Sequence, residues 1–415
     1  MTPGINRRDF VRLSVGAGLG SLFACPEAWG RPQGGGAEHL IVLTMAGGMS
    51  QTDTFDPKPG SRSAGPLKAL ATPVKGVQVS ELLPRVAEQL GHLALIRSMA
   101  TREGAHERAR YLLHTGYAPS GTVEHPDLCA WTSFSRPNPK LHLPPAICIG
   151  GQPQGAGFLG VEHAPLTVED PLRPIENLRH PPGVDAARFD RRRRLLEAVE
   201  RTFKKEHPGR DTAGHTSVYA KADRLIHSPQ TQAFDVSQEP QAIQEAYGSG
   251  RFGQSCLLAR RLVEVGVRAV EVVLGGWDTH QDCFTRHRDL CGQLDRGLGA
   301  LVADLRQRGL WKKTVVVLLS EFGRTPRINK DEGRDHFAVG WSVVLGGGPL
   351  QGGRVIGRTS EDGSKVVERP VGAGELLATL YRALGVDPEQ EHYTAAGRPM
   401  RPLPPEAQPL AELFA

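Results

Sequence analysis

The run His39-Leu40-Ile41-Val42-Leu43-Thr44-Met45 is a short unbroken apolar stretch that stops at Ala46-Gly47-Gly48. A strand covered on both faces has this pattern, so the run predicts a buried parallel strand ending in a loop. Downstream the pattern becomes regular. Phe252 to Val265 repeats apolar residues at helical spacing and stops at Gly266, and Val267 to Leu274 then reads as a second buried strand ending at Gly275-Gly276. A long helix follows over Cys283 to Arg308, with Phe284, Cys291, Leu294, Leu298, Leu301 and Leu305 at steps of three and four. Thr314 to Ser320 is the strongest strand in the chain, Trp341 to Leu345 is another, and Glu375 to Leu384 is a final helix closed by Gly385. Helices alternating with strands in this order are the pattern of an α/β fold with a mostly parallel sheet.

The middle of the chain breaks the pattern. Residues 165–250 carry Arg191-Arg192-Arg193-Arg194 and helix-forming residues, then polar sequence of poor periodicity, which we read as a helical insertion with a solvated basic face. The expected organisation is a signal over 1–30, a linker over 31–38, one α/β domain over 39–390 and a tail over 391–415. With 415 residues the chain can bury a sizeable core, and its 49 glycines and 32 prolines predict long ordered loops. A net charge of +5, spread along the sequence, disfavours a nucleic-acid partner.

The N-terminus reads as an export signal. Arg7 and Arg8 are paired, Phe10 follows, and a short Gly- and Ala-rich apolar stretch runs from Leu13 to Ala24, too short for a stable membrane span. The Asn-Arg-Arg-Asp-Phe-Val-Arg run resembles the twin-arginine signal, which implies the translocation machinery as a partner and a periplasmic or secreted location. Cleavage after Gly30 suits the small-residue rule, and Cys25 leaves lipidation open as an alternative. Cys129, Cys148, Cys256, Cys283 and Cys291 remain in the mature chain at spacings that fit no paired-cysteine metal motif, so neither a disulfide framework nor cysteine-bound metal is expected.

In open α/β sheets ligands sit beyond the carboxyl ends of the strands. The polar residues there form four groups: Ser50, Thr52, Asp53 and Asp56; Trp277-Asp278-Thr279-His280; Ser320-Glu321-Phe322-Gly323-Arg324; and Gly333-Arg334-Asp335-His336. Asp, Glu and His supply hard oxygen and borderline nitrogen donors, so a divalent metal site is the sharpest expectation, with Zn²⁺, Mn²⁺, Mg²⁺ and Ca²⁺ all open. Asp53, Asp278, His280, Glu321, Asp335 and His336 are the candidate ligands.

These same stretches, together with Met45 to Lys58 and Cys256-Leu257-Leu258-Ala259-Arg260-Arg261-Leu262, resemble the DUF1501 family, a set of exported bacterial proteins placed in the alkaline phosphatase and sulfatase superfamily. The resemblance implies a three-layer α/β/α sandwich and metal-dependent hydrolysis of phosphate or sulfate esters. Asp53 would match the first-strand metal carboxylate. Asp278 and His280 resemble the superfamily's Asp and His pair, with one residue between them instead of three. Glu321 takes a carboxylate place, whereas Phe322 stands where a ligand is usual. Arg334-Asp335-His336 resembles the Thr-Asp-His of phosphopentomutases, which makes His336 the foremost single ligand.

The nucleophile departs from the superfamily pattern. His106 to Gly116 aligns with the sulfatase motif at its Arg and its Thr-Gly, but the nucleophile place falls on His106, from which no formylglycine can form. Three readings follow: His106 as a ligand or general acid with water attacking directly, His106 as a covalent nucleophile, or a site that binds without turnover. In the catalytic readings Arg110 and Arg324 stabilise charge on an anionic small-molecule or glycan ester. The rival is a non-catalytic metal- or glycan-binding protein on a degenerate scaffold.

Overall fold

The computed structural model describes residues 36–175, 178, 183–206 and 221–414. The expected signal and most of the linker lie outside them. Eight strands form the central sheet: β1 (His39–Met45), β2 (Leu93–Met99), β3 (Ala146–Ile149), β4 (Leu166–Val168), β5 (Ala269–Leu274), β6 (Thr314–Leu319), β7 (Trp341–Gly347) and β8 (Val355–Ile356). Their order across the sheet is β8-β2-β7-β6-β1-β5-β3-β4. Among the described residues only β7 runs antiparallel to its neighbours in this sheet; the remaining pairings of the sheet are parallel. The fold is thus α/β with a mostly parallel sheet, as the alternation of elements requires.

The longer helices are α1 (His106–Thr115), α2 (Leu128–Ser135), α3 (Ala186–Glu206), α4 (Arg251–Glu264), α5 (Cys283–Gln307) and α6 (Ala373–Leu384). All seven residues of β1 are buried, because both faces of the sheet are covered. Ile41, Leu43 and Met45 join one core cluster with Leu257 and Leu258 of α4 and Leu294, Leu298 and Leu301 of α5. Leu40 and Val42 alternate to the opposite face, where α1, α2 and α6 pack together. Each such Leu or Val contributes about 1.5–3 kcal/mol on full burial.

The predicted boundaries of α4, α5, β1 and β6 fall within one or two residues of those observed, and α6 begins two residues earlier than predicted, at Ala373. The segment expected as an insertion contributes β4 to the sheet edge before continuing into α3. Residues of the expected tail pack on the domain: Leu403, Leu410 and Leu413 are buried, and Leu410 N donates to Thr379 Oγ1 at 2.9 Å.

The centre of the sheet carries one charged residue in an apolar strand. Glu271 of β5 is buried and accepts from Thr44 Oγ1 of β1 at 2.7 Å and from His114 Nε2 of α1 at 3.0 Å. Its carboxyl is held below the usual range: burial opposes ionisation, but the charge and hydrogen bond of His114, with Arg110 and Thr44, together outweigh it. This ion pair ties α1, which begins with His106, to the middle of the sheet.

Candidate metal centre

Four segments meet beyond the carboxyl ends of β1, β2, β5 and β6. The loop after β1 turns sharply at Gly47 and Gly48, with φ of 119° and 89°, a backbone that side chains resist. A Cβ at Gly47 would stand 2.4 Å from the Asp278 backbone nitrogen, and one at Gly48 would strike the Phe322 ring. The tightness of this turn lets the loops after β5 and β6 approach each other.

Three imidazoles and one carboxylate converge there. Asp278 Oδ1 lies 3.2 Å from His280 Nε2 and 3.5 Å from both His106 Nε2 and His336 Nε2, and the two nitrogens of His280 and His336 are 3.1 Å apart. Each imidazole commits its other nitrogen elsewhere. His106 Nδ1 donates to Glu321 Oε1 at 2.9 Å, His280 Nδ1 to Asp335 Oδ1 at 2.9 Å, and His336 Nδ1 to the Gly104 carbonyl at 2.8 Å. In a neutral imidazole an acceptor behind Nδ1 fixes the tautomer that leaves a lone pair on Nε2, the arrangement that metal-binding histidines adopt, whereas a protonated ring carries a proton there as well.

His106 Nε2 is buried with no hydrogen-bond partner, as is Glu321 Oε2. Buried polar atoms are costly when unpaired, so these two atoms could each accept a partner. The side chains of the centre still reach solvent, with His106 35% and Asp278 49% exposed, so a ligand can enter.

The protonation tendencies divide the histidines. The Glu321 hydrogen bond, against the effect of burial, raises the proton affinity of His106. Burial lowers that of His336, which keeps it neutral. For Asp278, burial raises the pKa, but the Arg324 guanidinium together with His106 and His280 outweighs it and holds the carboxyl below its ordinary value. Phe322 packs against both rings, with centroids 4.8 Å from His106 and 4.6 Å from His336, which are 4.5 Å from each other.

The remaining predicted site residues have other partners. Glu321 and Asp335 stand behind imidazoles, and Glu321 Oε1 also accepts from Gly47 N at 2.7 Å. Arg324 is fully buried; it donates to Gly48 O at 2.9 Å, to Arg334 O at 3.1 Å, and to Gly47 O and Asp278 Oδ1. Arg110 donates to the Gln152 carbonyl and lies 3.8 Å from Glu271 Oε1, on the side of the sheet's central ion pair. Asp53 forms a separate buried ion pair with Arg334, at 2.7 Å and 3.0 Å. Asp53, Cys283 and His287 make a second group whose ligating atoms lie within 4.8 Å of one another. His287 and Gly104 were not singled out in the sequence; the first sits one helical turn after Cys283, a readable spacing, whereas the backbone acceptor leaves no mark.

A family model described as a protein of unknown function, DUF1501, matches residues 37–414. The chain belongs to the DUF1501 family. No curated protein matches its sequence. Among solved structures, this DUF1501 chain is similar to the PsFucS1 sulfatase from a Pseudoalteromonas species, at 13% identity and a TM-score of 0.42, over 91% of this chain and 72% of that one. It is also similar to the alkaline phosphatase of the Antarctic bacterium TAB5, at 11% identity and a TM-score of 0.36, over 85% and 99%. The lipoteichoic acid synthase LtaP from Listeria monocytogenes gives 9% identity and a TM-score of 0.40, over 85% and 73%. Among the described residues no helix is long and apolar enough to cross a membrane.

Proposed function

We propose that this DUF1501 protein is a metal-dependent hydrolase of phosphate or sulfate esters, exported by the twin-arginine route. The observation that carries the reading is the convergence of His106, His280 and His336 on Asp278, each imidazole with Nδ1 committed and Nε2 turned inward.

Asp278, His280 and His336 are the residues that would hold the ion. Two imidazole nitrogens and a carboxylate oxygen 3.1 to 3.5 Å apart match the spacing of ligands around a divalent cation. When bound there, such an ion supplies Lewis-acid polarisation of an anionic ester and lowers the pKa of water.

His106 takes the remaining role. Glu321 behind it raises its proton affinity, so it holds a proton at Nε2 for the leaving-group oxygen while His336 stays neutral. Two groups pushed apart in this way divide into acid and ligand. Arg324 steadies Asp278, and α1 presents its first-turn N–H groups beneath an N-cap alanine that gives them no side-chain partner. Such a helix start favours an anionic substrate group. The substrate class is an anionic small-molecule or glycan ester.

The rival reading, a metal- or glycan-binding protein without turnover, is favoured by one residue: His106 stands at the start of α1 and offers no hydroxyl or thiol. The test is elemental analysis of the purified protein with an ester screen. Wild type should hold metal and hydrolyse a phosphate or sulfate ester, His336→Ala should lose one equivalent of metal and turnover, and His106→Ala should keep the full metal content and lose turnover. Metal without turnover of any ester would favour the binding protein, and no metal would remove the hydrolase and leave the glycan-binding protein.

A further inference from the structure

We infer that Asp53, Cys283 and His287 form a second, buried site for a thiophilic divalent cation of the zinc class, separate from the centre around Asp278. All three side chains are buried, and each offers a ligating atom within 4.8 Å of the other two. The grouping follows from the fold. Cys283 and His287 lie one turn apart on α5 and so share a face, and Asp53 arrives on the loop after β1.

The second and independent observation is His287 itself. It is fully buried, it spends Nδ1 on the Cys283 carbonyl at 2.6 Å, and its Nε2 has no hydrogen-bond partner. Burial also keeps this imidazole neutral. A neutral histidine whose Nδ1–H is committed to a carbonyl presents a bare lone pair on Nε2, which a metal ion satisfies.

Asp53 has capacity to spare. Its Oδ2 accepts from Arg334 Nε at 2.7 Å and from Ser50 Oγ at 2.6 Å, but Oδ1 accepts only from Arg334 Nη2 at 3.0 Å. One lone pair on Oδ1 therefore remains. Burial pushes the Cys283 thiol up to about 12, so without an ion the pocket is neutral, with Asp53 set against Arg334, and the thiolate donor forms only as an ion displaces its proton. One sulfur, one nitrogen and one oxygen donor favour zinc over calcium or magnesium, which take oxygen alone. Binding balances as one Zn²⁺ taken up and one proton released from the Cys283 thiol to solvent. The site does not depend on the proposed hydrolase: a closed and buried ion pins the β1 loop to α5 whatever the chemistry above it.

The test uses cobalt in the full chain stripped of metal. Cobalt bound to a thiolate gives an intense near-ultraviolet charge-transfer absorption, and the centre around Asp278 contains no sulfur. Wild type should show the band, His336→Ala should keep it, and Cys283→Ser should lose it together with one equivalent of bound zinc. His287→Gln, which leaves the thiol in place, guards against a Cys283→Ser variant that fails to fold: it should weaken cobalt binding at least tenfold, read from the same band. Bound cobalt without a thiolate band in wild type, or a band that survives Cys283→Ser, would overturn the site and leave a buried water as the partner of His287. Because the band is scored without any ester, its loss and a failure of the hydrolase reading are separate results.

Discussion

Glu321 Oε1 lies 2.9 Å from His106 Nδ1 and 2.7 Å from the Gly47 nitrogen, so one carboxylate oxygen both orients the imidazole and closes the β1 turn. The loop after β6 is thereby joined to the first residue of α1 and to the glycine turn. In the proposed reaction the same bond sets the proton affinity of His106.

Glu321→Gln keeps the hydrogen bonds and removes the charge. The His106 pKa should fall, so the alkaline limb of the rate profile, where the general acid loses its proton, should move to lower pH. At neutral pH turnover should drop by about tenfold or more, within the range a general acid contributes. A pH–rate profile superimposable on that of wild type would take Glu321 out of the mechanism.

Asp335 plays the matching part for a ligand. It accepts from His280 Nδ1 at 2.9 Å, and that bond holds its own carboxyl below the usual range. Carboxylates behind metal-bound imidazoles raise ligand basicity and fix ring orientation, so Asp335→Asn should weaken metal binding about 10- to 100-fold. Competition with a chelator of known affinity measures this, and unchanged affinity would place His280 outside the metal shell.

Arg334 and Asp53 are both fully buried, and Arg334 also donates to the Ser63 carbonyl at 2.7 Å. Removing one partner of a buried pair strands the other charge. Arg334→Met should cost about 3–5 kcal/mol, read from urea unfolding in the presence of a chelator, and Asp53→Leu with Arg334→Met should restore much of it. A single variant as stable as wild type would mean that Asp53 finds another counter-charge.

Long apolar runs made β1, β5 and β6 legible, because a strand covered on both faces needs no polar alternation. Leu93–Met99 is less so: Arg97 interrupts the run, and its bonds to the carbonyls of Phe55 and Gln78, with Asp56 Oδ1 3.5 Å away, explain a charge there. Ala146–Ile149 is too short to stand out. The strand-end rule collected Asp278, His280, Glu321, Asp335 and His336 from 59 positions of sequence into one region. It could not divide them into metal-facing and supporting groups, since that depends on which ring nitrogen meets which carboxylate. Asp53 shows the same limit, because its partner Arg334 is 281 residues away. Glu271, by contrast, is a charge inside an apolar strand, and its partner His114 could have been sought on that signal alone.

Asp127 provides a pH dependence away from the metal centre. It caps α2, accepting from Ala130 N at 2.7 Å and Gly155 N at 3.0 Å, and burial pushes its carboxyl up to about 6 from an ordinary 3.8. Between these values the folded chain binds a proton that the unfolded chain has released, so this residue's contribution is complete below about pH 3.8 and is lost as pH rises through about 6. A shift of this size corresponds to about 3 kcal/mol. Asp127→Asn cannot titrate, although its amide repels the Gly155 N–H and imposes a constant offset. The stability of Asp127→Asn relative to wild type should therefore improve by about 2–3 kcal/mol between pH 4 and pH 7, because wild type alone loses its proton over that span. Urea midpoints of the two proteins at pH 4, 5, 6 and 7 give this difference directly. A difference that stays constant across the series would mean that folded Asp127 is already ionised at pH 4, with its two backbone donors sufficient to offset the burial.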